Sequence, residues 1–156
     1  MKNITVIGSE AKVLQEMVEH LRESWINIEA LTEVSGDILV IKDHLEEAII
    51  ENYLIMDIDR HPQLDLSAYL GFTVITVGYN SKASITVSSV IDEEIVFCVQ
   101  REIVMDHTII EPQEFVVNSS IFCTDDVLSM VFVFTILLLI GEKEFQQPIL
   151  KPMLQE

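Results

Sequence analysis

Residues 127–141, VLSMVFVFTILLLIG, contain no charged side chain, and no other stretch constrains the fold so tightly. The run is shorter than the ~20 apolar residues that cross a bilayer as a helix. Asp125 and Asp126 precede it and Glu142 follows, where a membrane segment would carry Lys or Arg. A helix that is apolar all round must be enclosed on every side. The reading is therefore a buried core helix, in preference to a membrane-attached segment, and the remaining chain must form a shell around it.

The composition allows such a shell. With 156 residues, 49% of them hydrophobic, and only 5 Gly and 4 Pro, the chain is expected to form one packed core. Its 26 acidic against 9 basic side chains give a net charge of −17, which repels phosphate backbones and anionic lipid headgroups. Nucleic acids and membranes are accordingly not expected as partners. The acidity reads first as a solvated surface and second as a face for a basic partner or cations. Cys98 and Cys123 lie in no Cys-x-x-Cys or Cys/His spacing and read as small buried apolar residues in a reducing compartment. The chain starts Met-Lys-Asn and enters a strand without an apolar leader, so a cytoplasmic location is expected and the sequons at Asn3 and Asn118 carry no glycosylation meaning.

Along the chain, NITVIG (3–8) is a strand, and Leu14, Met17, Val18 and Leu21 follow at helical spacing with Glu16, Glu19 and Glu23 outward. DILVIK (37–42) reads as a second strand with a short helical stretch through Leu45, Ala48 and Ile49. YLIMD (53–57) and FTVITVG (72–78) read as a third and a fourth. Four strands with helical connections predict a parallel, Rossmann-like, three-layer α/β arrangement in the first half. SITVSSV (84–90), EIVFCVQ (94–100) and Phe115-Val-Val then alternate as antiparallel strands that extend it. The long apolar C-terminal helix starts near Thr124, capped by Thr124 or Asp125. Residues 1–141 thus form one α/β domain, and 142–156, with two prolines and no period, a C-terminal tail.

No complete active site is legible. Gly8-Ser9 sits between strand and helix, but no second glycine follows, so neither a dinucleotide fingerprint nor a P-loop is present and Ser9 reads as a helix cap. Asp57 and Asp59, with Asp65 nearby, end the third strand, where open α/β sheets place their sites. Asp57 followed by Pro62 invites comparison with response-regulator receiver domains. The acidic pair that holds Mg²⁺ in them is replaced here by Gly8-Ser9-Glu10. A turn-forming, solvated acid cluster is the plainer reading. His20, His44, His61 and His107 lack ligand spacing, Ser88-Ser89 lacks a nucleophile elbow, and Cys98 lies within a strand. GYNSKASITVSS (78–89) is the most distinctive stretch. Gly78 and Asn80 suit a turn, and Lys82 either meets an anionic ligand or discourages edge pairing. Asp57, Asp59, Gly78, Asn80 and Lys82 are the candidate ligand-binding residues; no metal or cofactor is expected.

From about Tyr53 to Gly141 the order of elements resembles the latter part of the central domain of Mur ligases, the ATP-dependent enzymes that join amino acids to UDP-muramyl precursors. LIMDID (54–59) is similar to that family's Asn-Ala-Asp-Asp stretch, and FTVITVG (72–78) to its next strand and glycine. Antiparallel strands and an apolar helix follow in both. The Walker A loop and the C-terminal domain of the family are missing, and CTDD (123–126) replaces its Asn-rich helix start. The resemblance implies a truncated, non-catalytic relative linked to peptidoglycan precursor metabolism, one that binds a partner protein or small ligand or forms a homo-oligomer. The rival expectation is a carboxylate-centred, Mg-dependent enzyme or a receiver-like phosphate switch at Asp57 and Asp59.

Overall fold

The computed structural model describes residues 1–8, 10–24, 30–43, 48–60, 65–105 and 108–145. Ten strands and two α-helices are present among them: β1 (Lys2–Ile7), α1 (Ala11–Ser24), β2 (Ala30–Ser35), β3 (Ile38–Asp43), β4 (Glu51–Asp57), β5 (Thr73–Val77), β6 (Ile85–Ile91), β7 (Glu94–Val99), β8 (Ile103–Val104), β9 (Ile109–Ile110), β10 (Gln113–Asn118) and α2 (Val127–Phe145). Eight strands form one mixed sheet in the order β10-β7-β6-β5-β4-β1-β3-β2, and β8-β9 is a separate two-stranded ribbon.

The first half departs from the expected run of parallel strands. β1, β4 and β5 are parallel, but β3 lies antiparallel to β1 and pairs with β2 in a hairpin absent from the sequence reading. Its turn is Gly36-Asp37, with Gly36 at φ +59° and Asp37 absent from the positive-φ residues; this is the glycine-first pattern of a two-residue hairpin. That signal stands in LTEVSGDILVIK (31–42) and outranks the βαβ expectation, because a two-residue turn can return a strand only antiparallel. The helical stretch expected after β3 is not seen where it is described: Ala48 and Ile49 form a bend, while Leu45 lies outside the described residues.

β6 is the second departure. It joins β5 in parallel through the single pair Val77↔Ile85, so it starts where β5 ends and carries the sheet beyond it. Only then does the expected antiparallel block β6-β7-β10 follow, with an irregularity between Val87 and Ser89. The segment 78–84 is therefore the inner corner between the two blocks of the sheet.

The helices lie together on one face of the sheet. α1 packs against β2, β3 and α2, while α2 reaches β6. Beneath them, Ile4, Val6, Tyr53, Ile55, Ile75, Val77, Phe97 and Phe115 alternate inward in one core. Phe134 of α2 stacks on Phe97 at 4.2 Å between ring centroids and tilts against Phe115 at 5.3 Å. Such ring pairs add about 0.5–1.5 kcal/mol beyond the area they bury. Every residue of α2 from Ser129 to Ile140 is buried, as an all-apolar helix requires. No helix among the described residues is long and apolar enough to cross a membrane. α2 runs on through Gly141 to Phe145, past the boundary set for the tail.

Candidate functional site

The carboxyl ends of β4 and β5 meet the corner 78–84 and the start of α2. Asp57 is 1% exposed, and its Oδ1 accepts the N–H of Asp59 at 2.9 Å and of Arg60 at 3.2 Å. The Arg60 guanidinium stands 3.8 Å from its other oxygen. Asp59 Oδ2 accepts the N–H of Tyr79 at 2.9 Å, tying the turn after β4 to the turn after β5. Gly78 is required there twice over. Its φ is +147°, and a Cβ would lie 2.6 Å from Asp59 Oδ2.

Asn80 closes the corner. Its Oδ1 accepts the Lys82 N–H at 2.8 Å and its carbonyl accepts the Ala83 N–H at 3.0 Å, while Gln100 Nε2 donates to the Ala83 carbonyl at 2.8 Å. Asp126 supplies the first carbonyl of α2, to the Met130 N–H, and accepts the Ser129 hydroxyl at 2.5 Å. Asp126 is thus the cap, in place of Thr124 or Asp125; Thr124 Oγ1 instead accepts the Asp126 N–H at 3.2 Å. At α1 the Glu10 carbonyl takes the first helical bond, from Leu14, and Ser9 lies outside the described residues.

The structure therefore brings all five expected residues to one edge. Four of them work on the loops: Asp57, Asp59 and Asn80 accept backbone N–H groups, and Gly78 makes room for Asp59. Lys82 is exposed, and its ammonium makes no ion pair among the described residues. Tyr79 projects nearby, and partial burial, then the charges of Asp126, Asp57 and Asp59, push its hydroxyl above the ordinary range. An edge with this field opposes a phosphate more than it attracts one. Among the described residues no three metal-ligating side chains come together.

Two arrangements elsewhere escaped sequence reasoning. At the amino ends of β4 and β5, Glu51, Asn52, Gly71, Thr73, Val104 and Met105 line a half-open recess of about 360 Å³. Exposed Ile50 and Val104 stand on its walls, with exposed Ile49, Leu70 and Ile109 adjacent in sequence or in the β8-β9 pairing. Asn52 Oδ1 accepts from Asn3 Nδ2 at 2.9 Å. No spacing rule points to this recess, because its walls come from three separate segments. The second is Cys123, expected to be buried but exposed, with Sγ 3.1 Å from His20 Nε2 on α1. Cys98 is half-buried. His44, His61 and His107 lie outside the described residues.

No family model, no curated protein and no solved structure matches the chain.

Proposed function

We propose that the chain is a non-catalytic α/β binding module that takes a small polar ligand, or a polar segment of a partner, in the recess at the amino edge of β4 and β5. The observation that carries this reading is the recess itself. Its volume of about 360 Å³ falls in the range of small-molecule sites. Polar Glu51, Asn52 and Thr73 line it beside the apolar side chains of Ile50, Val104 and Met105. By contrast, the carboxylates at the opposite edge are already held by loop N–H groups.

The relation to the central domain of Mur ligases belongs to the same proposal. Its support is the order of elements: β4 ends in Asp57, Gly78 follows β5, and antiparallel strands then lead to an apolar helix containing Gly141. A Rossmann-like ancestry rests on the parallel β1, β4 and β5 alone. A cytoplasmic, reducing setting is supported by two cysteines that are both free.

Chemical-shift mapping with a set of small amides, carboxylates and sugars tests the site. Shifts are expected at Asn52, Thr73 and Met105, and the change Thr73→Val should weaken them. Shifts confined to Asp57, Tyr79 and Lys82 would move the binding site to the carboxyl edge and end this reading.

A further inference from the structure

We propose that Cys123 is a site of covalent modification by peroxide, with His20 as the base that takes its proton. Three features meet at this point. The sulfur is exposed and lies 3.1 Å from His20 Nε2, so the ring can accept the thiol proton while its own proton sits on Nδ1. The pair joins residues separated by 103 positions, held together because α1 and the short 3₁₀ turn Ser119–Phe122 pack on each other. Cys123 also adopts φ +52°, a left-handed conformation uncommon outside glycine, Asn and Asp, where it ends that turn by donating its N–H to Ser120. The sulfur also lies 3.9 Å from the Ser120 carbonyl oxygen.

Cys98 is an internal control within the same chain. It lies in β7 between Phe97 and Val99, which face the helices, so its side chain points to the opposite face of the sheet. There it is half-buried, and burial together with Glu114 pushes its thiol up. Cys123, beside α1, is on the helix side. The two sulfurs therefore cannot close a disulfide within one chain, and an oxidised Cys123 has no internal resolving thiol.

The reaction balances with hydrogen peroxide as the co-reactant. The sulfur attacks one peroxide oxygen as its proton passes to His20 Nε2, an S–O bond forms and the O–O bond breaks. Sulfur is oxidised by two electrons to a sulfenic acid, and the departing hydroxide takes the proton back from the imidazolium as water.

The test exposes the folded protein to dilute hydrogen peroxide with dimedone as the trap and reads each cysteine by peptide mass spectrometry. Cys123 is expected to be labelled about tenfold or more faster than Cys98, and His20→Gln to slow Cys123 at least about fivefold while leaving Cys98 unchanged. Because His20 is exposed, this change should leave the fold intact; the urea midpoint checks that. The wild-type chain unfolded in urea is a second measurement that needs no variant, and there the two cysteines should react at similar rates. Equal rates in the folded protein, or a Cys123 rate indifferent to His20→Gln, would overturn the proposal.

Discussion

At the amino ends of β1 and β4 and the carboxyl end of β3, Lys2, Glu51 and Asp43 stand side by side across three strands on the helix face. Lys2 is 5% and Asp43 2% exposed. The Lys2 ammonium donates to the Leu139 carbonyl of α2 at 2.6 Å. At the carboxyl ends of β4 and β5, Asp57 and Asp59 instead turn onto the N–H groups of their own loops. The two ends thus hold charge by different means. At the first end a buried lysine and a buried aspartate occupy paired strand positions beneath α2, the lysine donating to a helix carbonyl, and at the carboxyl end of β4 and β5 loop geometry satisfies the carboxylates. Loss of one partner should therefore be severe at the first, and the second should be sensitive to shape.

The largest effect is expected from Lys2→Met, which leaves Asp43 buried without its cross-strand cation and should cost about 3 kcal/mol in urea unfolding. The double change Lys2→Met with Asp43→Leu should recover most of it, since an apolar pair of similar volume has no charge to desolvate. A single change that costs under about 1 kcal/mol would break the comparison, because the amino end would then be solvated like a surface.

Gly78→Ala should cost about 2 kcal/mol, from a strained positive φ and from a Cβ 2.6 Å from Asp59 Oδ2. Combined with Asp59→Ala, the clash disappears and only the backbone strain persists, so the two changes should be non-additive. Additive costs in denaturant melts would mean that the two turns are not coupled through Asp59.

Asp126→Ala removes the side chain that caps α2 and should cost about 1 kcal/mol, well below the effect of Lys2. The smallest effect is spectroscopic. Tyr79 should ionise above the ordinary 10.0, read from phenolate absorbance as the difference between wild type and Tyr79→Phe. Asp126→Asn should bring it back toward that value. The sign follows from linkage: a group whose folded value is raised adds stability that is present below the unfolded value and is lost as pH rises through the folded one. Ionisation at or below the ordinary value would show that the carboxyl edge lacks the negative field assigned to it.

Much of this contrast was legible in part. Asp57, Asp59, Gly78 and Asn80 stand out in the sequence because acids and turn residues at a strand's carboxyl end are local signals, and the structure gathers them on one edge. Lys2 escaped notice, since a lysine at position 2 looks like any solvated terminus. Only the β1-β3 register places it opposite Asp43 and beneath Leu139. The Gly36-Asp37 turn is a local hairpin signal that the expectation of βαβ units leaves out. The β8-β9 ribbon, two residues per strand, is too short to show a period.

By itself the sequence determined what depends on neighbours along the chain: the burial of α2, the inward stripe of Leu14, Met17, Val18 and Leu21, and the strand character of β4, β5 and β7. Strand direction, sheet order and the meetings of Lys2 with Leu139, Cys123 with His20 and Asn52 with Met105 were decided only by tertiary structure. The physical reason is that periodicity records which face of an element is apolar, whereas its partner is chosen by packing among segments far apart in the chain.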